Sequence, residues 1–382
     1  MEFEWSSEQQ QRISKFTEFA KSFFPAHQVE PGFDETAWNA CAEAGLFKLP
    51  LPTDTCDGSN AGLLTTVAAF ETLGRHGADA GLLFAMGAHL FGCTLAISRY
   101  ASASMRDRWC KLLANGQAVA ALTITEPTGG SNLQHIKTFA SKDGEHYVIN
   151  GDKTMISNAP VADLFLVLTA TKPEGGIFGL TTFLIPKSTP GVDIEEISET
   201  NGLEGAPMGR VHFENCRLTE NEILGSLNSG FNIFSKAIQW ERSCILAGFL
   251  GAAQRDIDAC VYFVNERQGE NGSIATHQSV SHRIARMQVR LEAARQLMLR
   301  AVWSVEQGKK DAYTLASMAK YQASETLVQN TLDAMRIHAG SGWAYQPSLG
   351  KTLLGSIGTL FASGTSDIQL NIIAAASGIK RR

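Results

Sequence analysis

The stretch AVAALTITEPTGGSN, residues 118–132, is where the chain changes character. Its opening is apolar and β-branched, the pattern of a short strand rather than a helix. Gly129 and Gly130 then permit close backbone approach, with hydroxyls at Thr125 and Ser131 on either side. A strand ending in such a loop can offer N–H and O–H donors to a polar ring or a carbonyl. Taken alone, it is equally an ordinary β-turn. What flanks it decides the fold.

Upstream, residues 7 to about 116 read as helices. In SEQQQRISKFTEFAKSFF, Ile13, Phe16, Phe19 and Phe23 recur at helical spacing, with Ser6 or Ser7 as the candidate N-cap. DETAWNACAEAGLF opens at Asp34 and stops near Gly45. GLLFAMGAHLFGCTLAI is the longest apolar run, but His89 and several small residues interrupt it, and it falls short of about 18–20 continuous apolar residues. It is expected to be a buried helix rather than a membrane span. Downstream, EHYVING, DLFLVLTAT, LTTFLIP and RVHFENCRL are short and β-rich, with turn signals KDGE and PEGG between them. That spacing predicts an antiparallel barrel or sandwich up to about residue 227. Long helical periods then return. Ile284, Met287, Leu291, Ala294 and Met298 mark one face of a long helix, and short loops between such helices predict a bundle.

Bulk properties exclude several classes. At 382 residues the chain is long enough for two or three domains. A formal net charge of −5 argues against nucleic-acid binding, which needs a basic surface. The seven cysteines are scattered, with no CxxC pair, and are expected to be reduced thiols. MEFEWSSEQQ has neither an apolar core nor an Arg-rich amphipathic start, so a cytoplasmic location without membrane association is expected. The histidines do not cluster at metal-ligand spacing, and no metal is expected. There is no GxSxG or Walker loop to support a hydrolase or nucleotidase.

Four further stretches carry chemical interest. INGDKTMISNAPVADLFLV, residues 149–167, contains Asn150-Gly151, a hairpin signal, and Ser157-Asn158 at the end of the returning strand. In IQWERSCILAGFLGAAQRDID, residues 238–258, Glu241-Arg242 opens an otherwise apolar helical run. Apolar surroundings would raise that carboxyl's pKa, as a general base requires; a surface or first-turn Glu favoured by the helix dipole is the plain alternative. RIHAGSGWAYQPSLG, residues 336–350, has glycines 340 and 342 breaking a helix beside His338, but its GSG follows no strand and is not a dinucleotide fingerprint. FASGTSDIQLNII, residues 361–373, reads as a loop entering a helix.

Together these stretches resemble the acyl-CoA dehydrogenase family over nearly the whole chain. TEPTGGSN is similar to that family's TEPGxGSD, NGDKTMISN to NGxKxWITN, RIHAGSGW to QxxGGxGY, and SGTSDIQ to EGTSEIQ. The resemblance implies an α+β fold: an N-terminal helical domain over residues 1–116, a middle β-barrel domain over 117–227 and a C-terminal four-helix bundle over 228–382. It also implies FAD bound without a Rossmann motif, and a homotetramer. In the family, a carboxylate takes the α-proton of an acyl thioester while the β-hydride goes to the flavin. The majority pattern puts the catalytic Glu just before GTSE, where this chain has Ser363. A minority, including the isovaleryl and long-chain enzymes, carries it early in the first long C-terminal helix within an "ER" pair, which Glu241-Arg242 matches. The resemblance therefore assigns the base to Glu241.

The same carry-over sets Leu122, Ile124, Thr125, Gly130 and Ser131 along the flavin ring, with Met155 and Ser157 where the family has Trp and Thr. Thr365 and Asp367 match positions near the adenosine-pyrophosphate half, and Arg267 and Gln278 match residues that reach a neighbouring subunit's FAD. Arg336 replaces the usual Gln, Gly340 follows it in the same motif, and RQGENG departs from RxxFG after Arg267. Ser131, Arg242 and Ser363 are expected along the substrate.

SGTSDIQ, the Trp240-Glu241 pair, ISNAPVADLFLV and GLLFAMGAHLFGC further resemble the prolyl-carrier-protein dehydrogenase subgroup, which acts on aminoacyl groups tethered to a carrier protein in natural-product pathways. The resemblance leaves other readings open. These are a short branched acyl-CoA dehydrogenase of isovaleryl type, a flavin oxidase or monooxygenase on the same scaffold, and a non-catalytic scaffold. The electron acceptor would be an electron-transfer flavoprotein or O2.

Overall fold

The computed structural model describes residues 4–197, 200–270, 272–344 and 347–379. Met1–Phe3 of the N-terminal stretch, Asn271 of RQGENG, and Tyr345 and Gln346 of the 336–350 motif lie outside them.

The N-terminal part is helical: α1 (Ser7–Phe23), α2 (Glu35–Glu43), α3 (Thr53–Cys56), α4 (Gly62–Arg75), α5 (Ala80–Gly87), α6 (Leu95–Tyr100) and α7 (Ala103–Ala114). Ser6, not Ser7, caps α1 in a reciprocal capping box with Gln9, and Asp34 caps α2 through the Ala37 N–H. α5 and α6 are joined by one π-helical stretch, Ala88–Thr94. The segment Ala80–Tyr100 is long and apolar enough to cross a membrane, but 89% of its most apolar window is buried inside the protein. It is the buried helix the sequence predicts.

The middle part is one seven-stranded sheet: β1 (Ala120–Thr123), β2 (Phe139–Asp143), β3 (His146–Ser157), β4 (Leu164–Ala170), β5 (Leu180–Pro186), β6 (Val192–Ile197) and β7 (Met208–Thr219). The order is β1-β4-β2-β3-β7-β6, with β5 added to β4. The expected all-antiparallel pattern is corrected here: β1 and β2 both pair with β4 in parallel. Hydrophobic spacing sets which face of a strand is buried but not the direction of its neighbour. After β7 the chain crosses to β5, where Ile223 bridges Phe183. Asn150-Gly151 is not a hairpin turn. It lies inside β3 at a register shift against β7, and the turn is made at Gly144 between β2 and β3. Gly151 is required there because a Cβ would meet Thr138 Oγ1 at 2.5 Å.

The C-terminal part holds α8 (Gly230–Cys244), α9 (Ala247–Glu266), α10 (Gln278–Glu306), α11 (Ala312–Ala344), α12 (Pro347–Thr359) and α13 (Ser366–Ala376). α8, α9 and α10 all pack on α11, and the predicted face of α10 is turned inward: Met287, Leu291, Ala294 and Met298 are buried and Ile284 is half-buried. α11 kinks at Ala339, whose φ of 50° is non-helical. One core cluster runs without a break from α1 through the bundle, so helices from both ends of the sequence share a single interior.

The cysteines are not all reduced. Cys56 and Cys110 form a disulfide that ties α3 to α7, 54 residues apart in sequence. No local spacing announces a pair brought together by folding. Cys41, Cys93, Cys216, Cys244 and Cys260 are free and buried.

Candidate active site

Glu241 stands in the last turn of α8, not at the start of a helix, and is buried. The C-terminal loop comes to it. Ser363 has a left-handed backbone, φ 53°, and its hydroxyl donates to Glu241 Oε1. The Ser363 main chain is fixed from two sides: its carbonyl accepts from Arg242 Nε at 2.9 Å and from Gln369 Nε2 at 3.2 Å. Gln369 also reaches the Gly364 carbonyl at 2.9 Å. Arg242 is itself buried and seated by Tyr313, whose hydroxyl lies 3.2 Å from Nη1 and whose ring lies under the guanidinium. Behind Arg242, Lys320 donates to the Leu360 carbonyl at 3.0 Å, and Ser324 donates to that of Thr359 at 3.1 Å. The end of α12 and the loop after it are thus held by donors from α8, α11 and α13.

Burial raises the Glu241 carboxyl above the ordinary range, while the Ser363 hydrogen bond and the Arg242 charge pull it part of the way back. Lys320 is pushed down to about 8, by burial first and then by Arg242, with Glu325 opposing.

The π-helical stretch supplies the opposite wall. A Cβ on Gly92 would lie 2.7 Å from Glu241 Oε2 and 3.6 Å from Leu122 Cδ2. A bare backbone therefore lets the carboxylate approach the end of β1. π-turns widen a helix locally and are common at functional sites. His89 of the same stretch accepts the Ala120 N–H at Nδ1, 3.1 Å, so β1 is tied to this wall.

From β1 the chain enters the exposed Gly129-Gly130-Ser131 loop. The Thr154 N–H donates to the Thr125 carbonyl at 2.8 Å, setting the loop beside a register shift in β3. That irregularity gives Met155 a φ of 56° and leaves its side chain 57% exposed. A buried pair lies beneath. Lys153 Nζ donates to Glu126 Oε1 at 3.0 Å and to the carbonyls of Ile124 and Leu168 at 3.0 and 2.8 Å. Glu126 Oε1 also accepts the Thr138 N–H at 2.9 Å, and Oε2 accepts that of Lys137 at 2.7 Å. Every polar atom of this anchor faces inward. By contrast, the hydroxyls of Thr125, Ser131 and Ser157 have no hydrogen-bond partner among the described residues. Free hydroxyls beside half-buried Leu122 and Ile124, together with the exposed Met155 thioether, suit a flat heteroaromatic ring with polar edges.

Three family models match in register: the acyl-CoA dehydrogenase N-terminal domain over residues 6–117, the middle domain over 121–216 and the C-terminal domain over 228–378. The chain belongs to the acyl-CoA dehydrogenase family. Among curated relatives it is 36% identical to the L-prolyl-[peptidyl-carrier protein] dehydrogenase of Pseudomonas fluorescens over 344 residues, 90% of each protein. Among solved structures it is similar to the prolyl acyl carrier protein oxidase AnaB, with a TM-score of 0.94 and 32% identity, covering 98% of this chain and 100% of that one. It is likewise similar to PigA with FAD and proline, with a TM-score of 0.92 and 31% identity over 99% of both chains.

In this acyl-CoA dehydrogenase fold, Glu241, Arg242 and Ser363 come together, and Leu122 joins them through Gly92. Ile124, Thr125, Gly130, Ser131, Met155 and Ser157 form the adjoining strand-and-loop face. Thr365 caps α13 by accepting the Ile368 N–H, and Asp367 is exposed in the first turn, two and four residues from Ser363. Arg267, Gln278, Arg336 and Gly340 are elsewhere. Arg267 and Gln278 flank the short turn between α9 and α10, and Arg336 is exposed and paired with Asp333 at 3.3 Å. α9 has 20 residues, about 30 Å of helix, so Arg267 lies far from Glu241 within one chain. Sequence reasoning missed Gly92, Glu126, Lys153, Tyr313, Lys320 and Gln369. The Glu and Lys were visible in TEPTGGSN and NGDKT, but a charge in a loop motif reads first as solvent-facing.

Proposed function

We propose that this chain is an FAD-dependent dehydrogenase of an acyl thioester, and that its substrate is a prolyl group carried on a carrier protein in natural-product biosynthesis. The observation that carries the chemistry is the buried carboxylate of Glu241 seated against Gly92, one side chain away from the β1 strand that leads into the ring-accepting loop. Glu241 is the base. Its Oε1 is occupied by Ser363, and Oε2 accepts no hydrogen bond among the described residues, so Oε2 is the atom that receives the α-proton. A raised pKa brings the carboxyl closer to the strength a general base needs near neutral pH. Leu122, Ile124, Thr125, Gly130, Ser131, Met155 and Ser157 would hold the flavin ring. Bound FAD supplies the two-electron acceptor for the hydride that leaves the β-carbon. Arg242 holds the Ser363 loop, and the buried Lys153–Glu126 pair keeps the ring-binding loop in register with β3. Prolyl is preferred because two of the relatives above, 36% and 32% identical over at least 90% of this chain, are named for prolyl carrier-protein substrates, and the third is a structure with FAD and proline.

Arg267, Gln278, Arg336, Gly340, Thr365 and Asp367 are assigned to the adenosine half of FAD, the first two on a neighbouring subunit of a homotetramer. One relative is named an oxidase, which favours O2 over an electron-transfer flavoprotein as acceptor. A cytoplasmic location accords with a carrier-bound substrate.

The test is anaerobic bleaching of the flavin by prolyl-loaded carrier protein and, separately, by isovaleryl-CoA. Bleaching by the carrier-bound substrate alone is the expected result. Bleaching by the CoA ester alone would make the protein a branched acyl-CoA dehydrogenase. The Glu241→Gln variant should lose about 10²–10⁴-fold in bleaching rate, the usual share of a positioned base.

A further inference from the structure

We propose that Ser363 is a positioning residue that holds Glu241 as a ready anion in the substrate-free enzyme, its hydroxyl donating to one carboxylate oxygen while its locked main chain keeps the other oxygen free for the α-proton. This rests on Glu241 being the base, as read above.

The loop is built for one hydroxyl direction. Ser363 has φ 53°, a region most side chains avoid, so the turn is imposed by its surroundings. Arg242 and Gln369 bind the Ser363 carbonyl, and Gln369 the next one along. With both carbonyls fixed, rotation about Cα–Cβ is the remaining freedom, and Glu241 Oε1 is the acceptor it meets. On the far side Gly92 has no Cβ, so Oε2 has room.

The charged and titratable groups around Glu241 come from three elements. Arg242 follows it on α8, the Cys93 thiol comes from the π-helical stretch, and Lys320 and Glu325 of α11 stand behind Arg242. Cys93 is buried and held neutral, its thiol pushed up by burial and then by the Glu241 charge. Lys320 spends its donor on Leu360, and Arg242 spends Nε and Nη1 on Ser363 and Tyr313. Ser363 is therefore the one side chain among the described residues that hydrogen-bonds the carboxylate directly. Burial works against the anion, and a donor aimed at it works for it.

Ser363→Gly separates these roles. Glycine accepts the left-handed backbone, and the Arg242 and Gln369 bonds go to carbonyls that the substitution leaves in place. The CH2OH group is lost, and with it the hydroxyl donor, while the backbone conformation stays open to the chain. Two readouts on the FAD-loaded enzyme follow. The first, without substrate, is infrared titration of the buried carboxyl, assigned by its disappearance in Glu241→Gln. The second is the acid limb of kcat/KM with prolyl-loaded carrier, which reports the free enzyme's base. A hydrogen bond to a charged group of usual strength predicts that both midpoints rise by about one to two pH units. An infrared midpoint unmoved in Ser363→Gly would overturn the proposal. So would a shift in Ser363→Ala without one in Ser363→Gly, which would trace to backbone strain. A shifted infrared midpoint with no turnover of the prolyl carrier counts against the substrate reading alone.

Discussion

At position 89 a histidine is used as a strut between a helix and a strand. Nδ1 accepts the Ala120 N–H, so the ring proton must sit on Nε2, which lies 3.1 Å from the Leu113 carbonyl. Trp38 and Phe47 enclose the ring. Burial pushes its pKa down to about 4. The folded value lies below the unfolded one, so above about pH 6.5 both states are neutral and the strut contributes in full. As pH falls towards 4, the unfolded chain takes up a proton that the folded ring refuses, and stability is lost. By pH 5 the loss is about 2 kcal/mol. His89→Gln keeps an acceptor and a donor but cannot titrate. Urea unfolding at about pH 7.5 and about pH 5 should show wild type ahead at the higher pH and its lead shrinking at the lower. A lead equal at both values would mean that the ring titrates normally. At this scale the carboxylate proposed as the base stands out in the sequence, because Glu241-Arg242 is a contiguous pair beside Trp240. Ser363 stands out too, at the position where most of the family has its Glu, but its hydrogen bond to Glu241 and the close approach of Gly92 come only from the packing of the 361–365 loop and the π-helical stretch.

Among the elements, the strand and helix runs were legible, but three irregularities within them were not. GLLFAMGAHLFGCTLAI reads as one helix because its apolar residues suit any buried helical winding. The wider turn at Ala88–Thr94 packs against α8 and β1, elements far from it in sequence. Asn150-Gly151 reads as a hairpin because the dipeptide favours left-handed turns, yet in β3 the glycine is needed for a close approach of Thr138. The second break in β3, between Lys153 and Ile156, turns Met155 out and Lys153 in. Lys153→Met should therefore be costly. It leaves Glu126 buried with two backbone donors and no cation, a loss of about 3–5 kcal/mol for a broken buried pair. The predicted outcome is a lower unfolding midpoint together with loss of flavin on gel filtration. Adding Glu126→Gln to Lys153→Met should recover part of the stability, since the unpaired charge is then gone. Full flavin retention in Lys153→Met would show that the anchor does not set the ring-binding loop.

Across the whole molecule, the order helices, sheet, helices was legible because hydrophobic period changes near residues 117 and 228. What sequence could not supply was the parallel placement of β1 and β2 on β4. Leu122 sits by Glu241 across Gly92, whereas Arg267 lies beyond the roughly 30 Å of α9, where its carbonyl accepts the Ile274 N–H and its side chain is exposed. A single chain that must bind one extended dinucleotide with both groups has an arrangement problem that a second copy solves. If Arg267 serves a neighbour's site, two defective chains can repair one another. A Glu241→Gln chain lacks the base but keeps Arg267; an Arg267→Ala chain keeps the base but cannot hold its neighbour's FAD. Assembled together and assayed at a flavin concentration where each parent is inactive, they should regain activity at about a quarter of sites if subunits pair at random. Recovery arises because the base of one chain then faces a cofactor held by the other. Flavin and activity both retained by Arg267→Ala alone would confine the cofactor to one chain and remove Arg267 from its site.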